Sequence, residues 1–153
     1  MKKLVLKRNS GYLDKRTIER YLSEYDVILP THSKKLSCSL YDAYAHDHHE
    51  KDLKCFLDVL AEMYPEYIEV AQDVMKGKFF YPTNMLICRK SFFDAYCSWL
   101  FSIMFEVEKR TDTSTYDDYQ KRVYGFIAER VLGIYMKANN VKIKNVHVIN
   151  IEE

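Results

Sequence analysis

Long apolar runs are missing from this 153-residue chain. Its richest stretch, Phe92 to Val107, is broken by Asp94, Ser98, Ser102 and Glu106, which excludes the roughly 20-residue apolar span that crossing a bilayer requires. Glycine-rich phosphate loops, a GxSxG elbow and an Asp-x-Asp triplet before a hydrophobic strand are also missing, so no nucleotide diphosphate site is visible. Neither HExxH nor paired CxxC occurs, which removes the usual zinc signatures, and no metal site is predicted. Cys38, Cys55, Cys88 and Cys97 are scattered and no signal-peptide pattern leads the chain, as expected of reduced thiols in a cytoplasmic protein. Charge of one sign is lacking too. Lys and Arg number 23 against 22 Asp and Glu, so no field attracts a polyanion and nucleic acid is excluded as a partner. No repeat or low-complexity tract occurs.

Apolar material is plentiful, at 48% of 18.3 kDa, enough for one domain over residues 1–153 with a buried core. Aromatic residues reach 14%, with 13 Tyr and 8 Phe, and such rings serve a core or stack on sugars. The pattern predicts an α+β chain, predominantly helical with a few short strands. Met1 to Gly11 reads as a basic strand or arm. Asp14 caps a helix to Glu24, and Tyr25 to Pro30 reads as a buried strand. Thr31 to His49 reads as a long loop with one helical turn near Leu40 to Ala45. Apolar positions from Leu53 to Met63 mark a helix over 50–64, stopped by Pro65. A short helix ends at Gly77, a strand covers 84–88, and Ser91 caps a helix to Arg110. A last helix spans 116–139 before an alternating strand, 141–151.

Two polar constellations stand out. In His46-Asp47-His48-His49-Glu50-Lys51-Asp52, a helix beginning near Asp47 as N-cap would set His48 and Asp52 on one face at i, i+4, orienting an imidazole as base, sugar-hydroxyl partner or metal ligand. In the last helix, Arg122, Gly125 and Glu129 fall on one side, and the mid-helix glycine suggests close approach by a neighbouring element or ligand. Arg122 and Glu129 could equally form a structural ion pair. Asp117 and Asp118 suit a helix start. Asn84 offers an amide ahead of an apolar strand.

Taken in order, Tyr25-Asp-Val-Ile-Leu-Pro30, His48-His49-Glu-Lys-Asp52-Leu53, Tyr64-Pro-Glu-Tyr67, Asn84-Met-Leu-Ile87, Phe93-Asp-Ala-Tyr-Cys-Ser-Trp-Leu-Phe101 and Tyr119-Gln-Lys-Arg-Val-Tyr-Gly-Phe-Ile-Ala-Glu-Arg130 resemble a family of unknown-function domains in bacterial capsular and exopolysaccharide glycosyltransferases. The resemblance implies the C-terminal, acceptor-side half of a GT-A-like α/β transferase, moving galactose or galactofuranose from a nucleotide sugar to a growing polysaccharide. It implies that the donor-binding half, and with it activity in isolation, is absent. Carried onto this chain, it marks His48, His49, Asp52, Asn84 and Gln120 as substrate-binding. In a GT-A-like arrangement an inverting transfer needs a carboxylate base, for which Asp117 or Glu129 is expected, with Arg122 or Arg130 stabilising the leaving diphosphate.

The partners implied are a glycan acceptor and, with the other half supplied, a nucleotide sugar. The chain itself carries no cofactor; a divalent metal would accompany the nucleotide in a complete enzyme. Lys2, Lys3, Lys7 and Arg8 leave room for peripheral contact with the inner membrane face or a partner chain. A non-catalytic module binding a glycan or a second chain is the alternative, and a regulatory helical domain the third.

Overall fold

The computed structural model describes residues 3–8, 11–31, 35–81 and 83–151, and backbone alone for 3–8, 11–12 and 148–151. Lys2, the loop residues 32–34 and Pro82 lie outside them. The described strands are β1 Lys3–Arg8, β2 Gly11–Tyr12, β3 Val27–Pro30, β4 Ile87–Cys88 and β5 Ile143–Ile151. The helices are α1 Lys15–Glu24, α2 Leu40–Asp47, α3 Glu50–Met63, α4 Ile68–Lys76, α5 Lys90–Arg110 and α6 Val123–Ala138. The protein is thus mostly helical around a small sheet ordered β2-β1-β5-β3-β4. Among the described residues no helix is long and apolar enough to cross a membrane.

Local chemistry accounts for much of this. Asp14 accepts from the Thr17 N–H at 2.7 Å, and Ser39 Oγ accepts from the Asp42 N–H at 3.0 Å. Each satisfies an N–H that the first turn of its helix leaves free. Val27, Ile28 and Leu29 are at most 1% exposed because β3 is central, parallel to β5 and antiparallel to β4. A strand covered on both faces reads as a continuous apolar run. Phe56 and Leu60 of α3 and Ile127, Val131, Leu132 and Ile134 of α6 complete the core beneath it. Asn140 takes the left-handed conformation just past α6, φ 49°, as residues ending helices often do. At the end of α4 a Cβ on Gly77 would stand 2.9 Å from the Val74 carbonyl oxygen, so this close approach needs glycine.

Several boundaries differ from the sequence pattern. The expected single turn near Leu40 is the two-turn helix α2. Asp47 ends α2 instead of capping α3, and His48 and His49 are the two residues between the helices. Only Ile87 and Cys88 of the expected 84–88 strand pair with β3. Arg89, not Ser91, occupies the cap of α5. The last helix begins at Val123, seven residues late, after a 3₁₀ turn Gln120–Arg122. Arg122 therefore sits at the cap of α6, just ahead of the helix that carries Gly125 and Glu129. A Cβ on Gly125 would meet nothing within 4 Å, so no neighbouring element demands this glycine.

Candidate functional site

The gap between α2 and α3 is pinned by one side chain from far along the chain. Gln120 Nε2 donates to the Asp47 carbonyl at 3.0 Å, satisfying an acceptor left free at the end of α2. Its Oε1 then faces His48 Nδ1 at 3.2 Å. A carbonyl oxygen only accepts, so Nδ1 carries the hydrogen and Nε2 keeps its lone pair. The imidazole lies flat on Phe126, centroids 4.0 Å apart and planes 17° apart, with Tyr44 at 4.9 Å. Burial pulls the His48 pKa below the ordinary imidazole value, outweighing the Gln120 hydrogen bond. His48 is held neutral.

The expected His48–Asp52 pair does not form. Asp52 is 1% exposed, and both its oxygens accept from the Tyr116 hydroxyl, at 3.0 and 2.9 Å. The helix breaks before Glu50, so the i, i+4 spacing carries no shared face. His49 instead stacks on Tyr116 at 4.1 Å.

Charged groups gather around the His48–Phe126 stack. The Arg122 guanidinium lies 5.4 Å from the Phe126 ring centre, and that of Arg130 lies 5.0 Å from Tyr44 and 5.3 Å from Phe80. Such cation–π contacts hold a cation against an apolar wall. Glu129 Oε2 approaches Arg130 Nη1 at 3.7 Å. Burial raises the Glu129 pKa, with Arg130 and Arg122 opposing it. The ion pair that Glu129 could have formed with Arg122 is made instead with Arg130. Tyr119, exposed, stands 5.0 Å from Phe126.

The structure therefore brings His48, Gln120, Arg122, Glu129 and Arg130 together. It ties Asp52 and His49 to Tyr116 beside them. Asp117 accepts from the Gln120 N–H at 2.7 Å, shaping the turn that presents the Gln120 amide. Asn84 stands apart, exposed, bordering an apolar cavity of about 410 Å³ between α5 and α6 that Gly125 also lines. Sequence reasoning passed over Tyr44 and Phe80, whose only signal was the excess of aromatic residues, and gave Tyr116 and Phe126 no site role although both fall within the expected last helix, 116–139. Among the described residues no three His, Cys, Asp or Glu side chains converge to hold a metal.

Residues 2–140 match a family described as a domain of unknown function, DUF4422. A solved structure, the apo form of the WbbM bifunctional glycosyltransferase, superposes with a TM-score of 0.82 at 28% identity over 91% of this chain. The chain spans 26% of that protein's length. No curated protein matches.

Proposed function

Since the chain belongs to the DUF4422 family, we propose that it forms the acceptor-side half of a glycosyltransferase with a GT-A-like core. In this reading it helps move a galactose-type sugar from a nucleotide donor to a growing bacterial capsular polysaccharide or exopolysaccharide, in the cytoplasm at the inner membrane face. The glycosyltransferase likeness supports the class of chemistry. The observation that carries the site is the convergence of a neutral, oriented His48 with Glu129, Arg122 and Arg130 on the Phe126–Tyr44 wall.

Glu129 serves as base. Its raised pKa brings the carboxylate nearer neutrality, where proton abstraction is most effective. Asp117 is spent on the Gln120 backbone, so Glu129 is the better candidate. In an inverting transfer Glu129 takes the acceptor hydroxyl proton, the oxygen bonds to the anomeric carbon, and the bond to the diphosphate breaks with its electron pair. Arg122 and Arg130 stabilise the charge on the departing group. His48 Nε2 accepts from a second sugar hydroxyl, and exposed Tyr119 offers a face to the ring. Asp52 and His49 hold the wall through Tyr116.

The test is transfer from a labelled UDP-hexose by the intact gene product. Glu129→Gln should abolish product with the melting temperature retained; full turnover by that variant sinks the assignment.

A further inference from the structure

Arg130 is 7% exposed, yet its charge is poorly matched. Nη1 donates to the Phe126 carbonyl at 2.8 Å, whereas the buried Nε has no partner. Glu129 stays at 3.7 Å, beyond hydrogen-bond reach. Burial lowers the Arg130 pKa, the response of a cation short of counter-charge. A buried charge without full pairing is unfavourable, so an anion at this point would be favoured.

A cavity of about 210 Å³ lies where such an anion would sit, lined by Arg130, Lys78, Lys137, Asp73, Phe80 and Gly133 among others. Three cations face one carboxylate. Lys78 donates to the Ser37 carbonyl at 2.9 Å, and Lys137 pairs with Asp73. Gly133 follows Arg130 by one turn of α6. A Cβ there would meet only Val74 Cγ1, at an ordinary 3.7 Å, so packing does not require the glycine. A mid-helix glycine destabilises its helix relative to alanine. What it provides here is open space in the cavity wall.

We infer that this cavity binds a phosphoryl group, with Arg130, Lys78 and Lys137 around its oxygens. A carboxylate would be satisfied by one guanidinium fork. Three cations on three separate stems suit the three terminal oxygens of a phosphoryl group, lysines acting as point charges. The carrier, a nucleotide donor or a phosphate-linked acceptor, rests on the transferase reading; the anion site rests on the cavity.

The experiment is calorimetry on the full chain at low ionic strength with inorganic phosphate, UDP and octyl phosphate, with chloride and uridine as controls. All three phosphates should bind and neither control should. Lys78→Ala and Lys137→Ala should each weaken binding about tenfold, and Gly133→Met should abolish it with the circular dichroism spectrum kept. Tighter binding of UDP would identify the nucleotide as carrier, and tighter binding of octyl phosphate the acceptor. Phosphates no better than chloride, or binding that survives all three substitutions, would overturn the inference while leaving the Glu129 test intact. Conversely, no transfer from any UDP-hexose by the unsubstituted gene product would remove the transferase reading and leave phosphate binding standing.

Discussion

Two groups of stacked rings invite comparison. One surrounds Trp99, with Tyr67 at 5.2 Å and Tyr135 at 5.0 Å, Tyr96 at 6.3 Å and Tyr64 at 6.2 Å. Two of its polar tips look to neutral partners, Tyr64 to Ser102 at 2.9 Å and Tyr67 to Asn139, and the buried Tyr96 hydroxyl and Trp99 indole N–H have none among the described residues. The other, around Phe126, is equally aromatic but carries a neutral imidazole, two guanidinium groups and a carboxyl with a raised pKa. The same residue types thus build a core in one place and a wall that holds charged groups in the other. The charges that the rings hold make the difference.

If that contrast is right, substitutions should divide cleanly into those that cost activity and those that cost stability. The largest effect should come from Glu129→Gln, a loss of about 100-fold or more in kcat, with chemical denaturation unchanged. Trp99→Ala should do the reverse, lowering unfolding free energy by about 3–5 kcal/mol in a urea titration while any folded fraction keeps its specific activity. Next, Gln120→Leu leaves the Asp47 carbonyl and the His48 N–H unserved, an expected cost of about 1–3 kcal/mol. It should also raise the acceptor KM, because the ring loses its orientation.

A fourth effect concerns pH. The folded protein binds a proton at His48 less readily than the unfolded chain does, so this group's contribution is complete above the ordinary imidazole value. Stability then falls as pH drops from about 6.5 toward the lowered folded value. Thermal melts across pH 5 to 8 should show that slope, and His48→Phe should flatten it. The smallest is Gly125→Ala, which should stabilise α6 by about 0.5–1 kcal/mol, since a Cβ there meets open space.

The sequence revealed elements governed by local chemistry. Asp14 as a cap and the apolar stripe of α3 were legible because their causes lie within a few residues. The break at His48 and His49 was not, because its causes, Gln120 and Phe126, lie more than seventy residues away. The late start of α6 is similar: Asp117 shapes the turn before it, and Tyr116 is drawn to buried Asp52. For the candidate site, the titratable residues were named from their clustering. Their surroundings were hidden, since periodicity does not say which rings of two aromatic groups will face a charge.

The parallel pairing of β3 with β5 bears on synthesis in the cell. Asp26 is joined to Lys142 across 116 residues of chain, and Val27 waits for Ile143. At typical translation rates of about 5–20 residues per second, that delay is roughly 6–23 s. Throughout it, one edge of a wholly apolar segment emerges from the ribosome without its neighbour, a target for ribosome-associated chaperones and a reason to expect inclusion bodies on rapid overexpression.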